Sequence, residues 1–95
     1  MNTIYKYKLN FTFSSRYNYT MGHILLPEGA KLLCYNTQGS DICLWAEVDP
    51  KMPTEMHTFA VVPTGGDVPE ARDETWEYQA TVFLGAYVWH IYKAS

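Results

Sequence analysis

The stretch Ala30-Lys31-Leu32-Leu33-Cys34-Tyr35-Asn36-Thr37-Gln38-Gly39-Ser40-Asp41-Ile42-Cys43-Leu44-Trp45-Ala46-Glu47-Val48 decides the fold. Two runs of β-branched, aromatic and aliphatic residues flank Gln38-Gly39-Ser40-Asp41, which has turn chemistry, so the segment predicts a β-hairpin. With a four-residue loop, Thr37 faces Ile42 and Cys34 faces Trp45. Strict alternation puts Leu33, Tyr35, Ile42, Leu44 and Ala46 on one face and Leu32, Cys34, Cys43 and Trp45 on the other. Neither face is polar, which places the hairpin inside a sandwich or under a partner chain.

The same period runs outward in both directions. Residues 3 to 13 set Tyr5, Tyr7, Leu9, Phe11 and Phe13 against Lys6, Lys8, Asn10 and Thr12, and Arg16 to Met21 continues with Tyr17 and Tyr19 on one side. Pro27-Glu28-Gly29 predicts a tight turn with proline at its first corner. Downstream, Pro50 and Pro53 interrupt the ladder, and Met56 to Val62 resumes it. Residues 63 to 74 form a long loop, with a turn of helix near Pro69 to Asp73 as its one helical candidate. Trp76, Tyr78, Ala80, Val82 and Leu84 then alternate with Thr75, Glu77, Gln79, Thr81 and Phe83, and Tyr87 to Tyr92 is the last strand. No window carries a capped helical stripe. The expected fold is all-β: a small antiparallel β-sandwich or barrel of six to seven strands with little or no helix.

Ninety-five residues allow one domain, 1–95, and exclude large catalytic folds such as (β/α)-barrels and full dinucleotide-binding domains. A hydrophobic share of 47% against 18% charged residues is enough to build a core and too little charge for disorder. The first thirty residues hold no signal-peptide apolar run, and no window approaches the roughly 18 apolar residues of a membrane helix. The sequence therefore reads as a soluble cytoplasmic protein without a membrane partner. Cys34 and Cys43 come out as diagonal neighbours, a geometry that strains a disulfide, so both are expected as free and mostly buried thiols. With His23, His57 and His90 they make no ligand spacing, so no metal and no cofactor are expected.

The net charge of −3 hides an asymmetry. Residues 1 to 34 carry Lys6, Lys8, Arg16 and Lys31 against Glu28, whereas the remainder sets Lys51, Arg72 and Lys93 against nine acids. Asp67, Glu70, Asp73, Glu74 and Glu77 cluster around Arg72. They form a solvated acidic stretch or a surface that docks on a basic partner. Without a basic footprint, direct nucleic-acid binding is not expected.

Thr64-Gly65-Gly66-Asp67 offers backbone N–H groups between glycines as an anion cradle. It lacks the lysine and the following helix of a phosphate loop, so it stands as a generic ligand loop or a plain connection. No Gly-x-Ser-x-Gly elbow occurs, no histidine sits in a base-like pattern, and Glu47 and Asp49 flank a solvated proline turn. No catalytic residues and no enzyme are expected. The aromatic share of 16%, with eight tyrosines, exceeds what a core of this size encloses. Trp45, Trp76, Trp89, Phe59 and Phe83 suffice for the core. Tyr5, Tyr7, Tyr17 and Tyr19 are then left as a protein-contact or oligomer surface, since tyrosine brings large area with a wet hydroxyl. Base stacking on the same rings is the alternative.

Five segments in order carry a resemblance: Thr3-Ile4-Tyr5-Lys6-Tyr7, Leu26-Pro27-Glu28-Gly29-Ala30-Lys31-Leu32-Leu33, Leu44-Trp45-Ala46-Glu47-Val48-Asp49-Pro50, Thr64-Gly65-Gly66 and Val88-Trp89-His90-Ile91. Over most of its length the chain resembles a family of small proteins encoded by bacteriophages and prophages. Phe11 to His23 is longer here than in that family. Where the family reads Thr-Gly-His, this chain has Gly66 and then Asp67, which weakens a histidine-dependent role for the loop. The resemblance implies phage origin and supplies no activity. By analogy with other small phage proteins it implies a non-enzymatic inhibitor that occupies a host protein or complex, above all one of an anti-defence kind directed at CRISPR or another immune system. Two alternatives remain: a binder that sequesters a nucleotide signal, and a virion or assembly component.

Overall fold

The computed structural model describes residues 1–9, 20–69 and 75–95. These residues form seven strands: β1 (Thr3–Lys8), β2 (Thr20–Pro27), β3 (Lys31–Gln38), β4 (Asp41–Val48), β5 (Thr54–Pro63), β6 (Trp76–Leu84) and β7 (Tyr87–Ala94). A three-stranded sheet in the order β1-β4-β3 faces a four-stranded sheet in the order β2-β5-β7-β6. Every pairing is antiparallel. The protein is thus an all-β sandwich, and among the described residues there is no helix.

Two hairpins are local. In β3–β4 the expected pairs Thr37↔Ile42 and Cys34↔Trp45 form, and the ladder runs one step further, to Gln38↔Asp41. The loop is therefore the two residues Gly39 and Ser40 rather than four. Gly39 has φ 63 and Ser40 has no positive φ, the pattern of a type II′ turn, whose twist matches that of the strands it joins. Gly85-Ala86 closes β6–β7 in the same way, with Gly85 at φ 61 and Leu84 paired to Tyr87. Between β2 and β3 the chain changes sheets at Pro27-Glu28-Gly29-Ala30, where Ala30 N–H donates to the Pro27 carbonyl at 3.1 Å. Pro27 accepts this bond, so it precedes the first corner, and Glu28 takes that corner.

The core lies between the sheets. Ile42, Leu44, Ala46 and Val48 of β4, with Leu9, meet Ile24, Leu26, Phe59, Val61, Val82 and Ile91 from the opposite layer. β3 and β6 approach each other across the layers, where the Tyr35 hydroxyl donates to Gln79 Oε1 at 2.9 Å and the Tyr35 ring meets Phe59 edge-on at 6.4 Å.

Strict alternation fails at two places, both β-bulges. In β3 the register shifts between Leu32 and Cys34, so Leu33 has no partner. Leu32 then joins Tyr35 against the core, while Leu33 is 43% exposed, the reverse of the expected assignment. In β6 the shift between Tyr78 and Ala80 leaves Gln79 unpaired. Ala80 and Val82 face inward, and Tyr78 turns out to the side of Thr81 and Phe83. The expected aromatic core is corrected accordingly. Phe59 is fully buried and Trp89 packs on the core, but Phe83 is 71% exposed and Trp45 lies half-buried on the outer face of its sheet.

Candidate binding surface

Of the tyrosines expected to form a contact surface, Tyr5 and Tyr7 are described, and both lie on the core side of β1, in phase with buried Leu9. Tyr7 packs on the core, and burial, followed by the neighbouring Tyr5, pushes its phenol pKa up. Tyr5, nearer the end of the sandwich, is 45% exposed. Tyr17 and Tyr19 fall outside the described residues, as do Glu70, Asp73 and Glu74 of the acidic stretch. Asp67 is exposed in the connection after β5, and Glu77 is exposed on β6.

The glycine loop is tied down by its own backbone. Thr64 N–H donates to the Val88 carbonyl at 3.0 Å and Gly66 N–H to the Pro63 carbonyl at 2.8 Å. Two of the groups that would cradle an anion are therefore engaged inside the fold, and Thr64, Gly65, Gly66 and Asp67 form a connection anchored on β7 rather than an open nest.

The surface that sequence alternation did not reveal is the outer face of the four-stranded sheet. Strand phase places Met21, His23 and Leu25 of β2 there, with Met56, Thr58, Ala60 and Val62 of β5. β7 adds Val88, His90 and Tyr92, and β6 adds Trp76, Tyr78, Thr81 and Phe83. None of these is Asp, Glu, Lys or Arg. Met21, Leu25, Met56, Tyr78 and Phe83 are 43, 56, 64, 53 and 71% exposed. Lone exposed apolar residues are ordinary, but here they gather at the two sides of one sheet, Met21, Leu25 and Met56 on β2–β5 and Tyr78 and Phe83 on β6, with buried Ala60 and Val62 between them, and such clusters are of the kind that marks interaction sites.

A hydroxyl–imidazole network orders one half of this face. His90 Nε2 lies 2.9 Å from Thr64 Oγ1, and its Nδ1 lies 3.0 Å from Thr81 Oγ1. Thr81 is bonded in turn to the Tyr78 hydroxyl, and the Tyr78 ring meets Tyr92 edge-on at 5.7 Å. The first two contacts have the outline of a nucleophile and its base. Behind the ring, however, stands a threonine where catalytic triads place a carboxylate, so the network supplies no negative charge to stabilise an imidazolium. What it does is fix four side chains in one arrangement on a face otherwise free to adapt. At the other half, His23 Nδ1 lies 2.9 Å from Thr58 Oγ1.

The opposite side of the molecule has a different character. The outer face of the three-stranded sheet carries Lys6, Lys8, Lys31 and Glu47 around Trp45, with Lys8 paired to Asp41 at 3.2 Å. Cys34 and Cys43 share this face as diagonal neighbours and are free thiols. Cys43, on central strand β4, is buried as expected, but Cys34, on edge strand β3, is exposed. A shallow open depression of about 300 Å³ lies between the start of β5 and the end of β7. Its charged groups are internally engaged: His57 Nε2 lies 3.2 Å from Glu55 Oε1, and Lys93 Nζ donates to the Ala94 carbonyl at 3.3 Å. Among the described residues no three His, Cys, Asp or Glu are grouped to hold a metal ion, and no helix is long and apolar enough to cross a membrane.

Fold and surface together define a small all-β sandwich with one charged and one uncharged outer face. The chain belongs to the family described as a domain of unknown function, DUF7352, whose model matches residues 1–95. No curated protein and no solved structure matches it.

Proposed function

We propose that this protein acts without catalysis, by stoichiometric binding of a protein partner on the outer face of the β2-β5-β7-β6 sheet. The observation that carries the reading is the absence, among the described residues, of Asp, Glu, Lys and Arg from that face, together with the exposure of Met21, Leu25, Met56, Tyr78 and Phe83. Interface cores are depleted in charge and enriched in aromatic residues and methionine. The His90 network holds Tyr78 in place, so little side-chain entropy is lost there on docking. Tyr5, Asp67 and Glu77 lie outside this face and would act at most as rim contacts.

The partner we propose is a host protein, and the setting is phage inhibition of bacterial immunity; the resemblance to phage and prophage proteins supports that setting. The test is to express the chain in bacteria carrying a defined immune system, challenge them with phage, and mix the purified protein with the purified immune effector. Wild type should restore phage plating and form a complex at a fixed molar ratio. Phe83→Lys and Tyr78→Lys should each lose both, Phe83→Lys while keeping the wild-type melting temperature and Tyr78→Lys with the modest drop expected from its lost contacts to Thr81 and Tyr92. Because the face is uncharged, affinity should change less than about threefold between 50 and 500 mM salt, against a steep loss for a charge-driven interface. Inhibition far below one protein per target, or full activity in both lysine variants, would overturn the reading.

A further inference from the structure

We infer that β2 is a pairing edge for a second copy of this chain, so that two four-stranded sheets join into one of eight strands. Among the described residues the sandwich has four edge strands, β1 and β3 in one sheet and β2 and β6 in the other. Exposed edges present unpaired backbone N–H and C=O groups, and proteins blunt them with charge, bulges, short strands or a covering element. Three of the four are blunted in these ways. β1 has only six residues and carries Lys6 and Lys8. β3 starts at Lys31 and is broken by the Leu33 bulge, and β6 carries Glu77 and the Gln79 bulge. β3 and β6 also lean on each other through Tyr35 and Gln79.

Among the described residues, β2 has none of these devices. Thr20-Met21-Gly22-His23-Ile24-Leu25-Leu26-Pro27 contains no charged residue, and its only proline is terminal. It pairs with β5 over all eight positions without a register shift, so no bulge interrupts it. Among the described residues no strand pairs with its other edge.

The sequence also fits itself. A two-fold axis perpendicular to the sheet keeps outer-face residues opposite outer-face residues, because strand side chains alternate. Centred on His23, it sets Met21 against Leu25 of the second copy in both halves and His23 against its own counterpart. On the inner side it sets Gly22 against Ile24 and Thr20 against Leu26. Moving the centre to Ile24 would bring Pro27, which has no N–H to donate, into the ladder. Eight residues span about 27 Å, and the molecule is 19 Å across its thinnest direction. Such a contact buries about 1,000 Å² in total, the lower bound of a specific interface, which suits a dimer of micromolar rather than nanomolar affinity. The outer faces of the two copies would then run together as one uncharged surface.

The test is mass in solution combined with a position-specific crosslink. In light scattering at a concentration of about 100 µM, wild type should weigh twice 10.9 kDa, and Leu25→Lys should weigh 10.9 kDa with an unchanged circular dichroism spectrum. In a Cys34→Ser background, His23→Cys should give nearly complete disulfide dimer under mild oxidation, since opposed Cβ atoms in such a pair lie about 5 Å apart. Met56→Cys, equally exposed on the same face but one strand away from the axis, should not. A wild-type monomer at that concentration, or crosslinking at position 56 as fast as at 23, would overturn the inference. Neither outcome bears on partner binding, which Phe83→Lys tests on β6.

Discussion

At the residue scale, burial follows strand phase rather than side-chain size. Phe59 and Phe83 are the same residue type on neighbouring stretches of one sheet. Phe59 is in phase with Val61 and is fully enclosed, whereas Phe83 follows inward-facing Val82 and is 71% exposed. Replacing Phe59 by alanine removes buried surface and leaves a cavity, so it should cost about 3 to 5 kcal/mol. Phe83→Ala should stay within about 0.5 kcal/mol of wild type, as surface substitutions do. Urea unfolding of the two variants checks the pair. A large loss at Phe83 would mean that it is covered in the free protein, and the candidate binding surface would shrink accordingly.

At the element scale, the hairpin turns were legible and the bulges were not. Gly39 and Gly85 announce reversals because a type II′ turn needs positive φ at its first corner, and few other residues adopt it cheaply. A Cβ added at either glycine meets no atom within 4 Å. Gly39→Ala and Gly85→Ala should therefore each lose about 1 kcal/mol through the backbone alone. D-alanine, which favours positive φ, should stabilise the same positions, a contrast that thermal unfolding of semisynthetic protein would measure. Leu33 and Gln79 carry no such signal. Either could continue its strand, and each is left unpaired by the match between neighbouring strands, which local sequence does not encode. That is why alternation placed Tyr78 beside Val82, misassigned Leu32 and Leu33, and overlooked the outer face of the four-stranded sheet. The hairpin register, the all-β class and the positions of β3, β4, β6 and β7 needed only short-range information, whereas β2, expected to end at Met21, runs from Thr20 to Pro27. Of the β1 tyrosines, Tyr7 packs on the core while Tyr5 stays 45% exposed, a difference that alternation does not encode: one alternating face cannot say whether it looks toward solvent or toward a second sheet.

At the scale of the whole molecule, one contact ties the layers together where β3 meets β6. Tyr35 sits there half-buried, and desolvation, followed by the nearby Glu77 carboxylate, holds its phenol pKa well above the ordinary value of 10.0. The unfolded chain therefore releases this proton first as pH rises. The folded state then binds more protons than the unfolded one, and stability falls. Urea midpoints should decline as pH climbs above about 10. Tyr35→Phe should show a shallower decline, with a loss of about 1 kcal/mol at neutral pH from the broken bond to Gln79. In a domain of this size that loss is a drop of about 4 to 8 °C in Tm. Equal slopes for the two proteins would assign the alkaline loss elsewhere.

The pairing of β1 with β4 fixes a schedule as well as a shape. Thr3 finds its partner at Val48 and Lys8 finds Cys43, so β1 is paired only after a long stretch of later chain has left the ribosome. Synthesis proceeds at about 5 to 20 residues per second. For several seconds, therefore, Tyr5, Tyr7 and the unpaired backbone beside them are open to whatever is nearby. Lys6 and Lys8 sit within that segment, and their repulsion of like chains guards the nascent strand until the β3–β4 hairpin arrives to receive it.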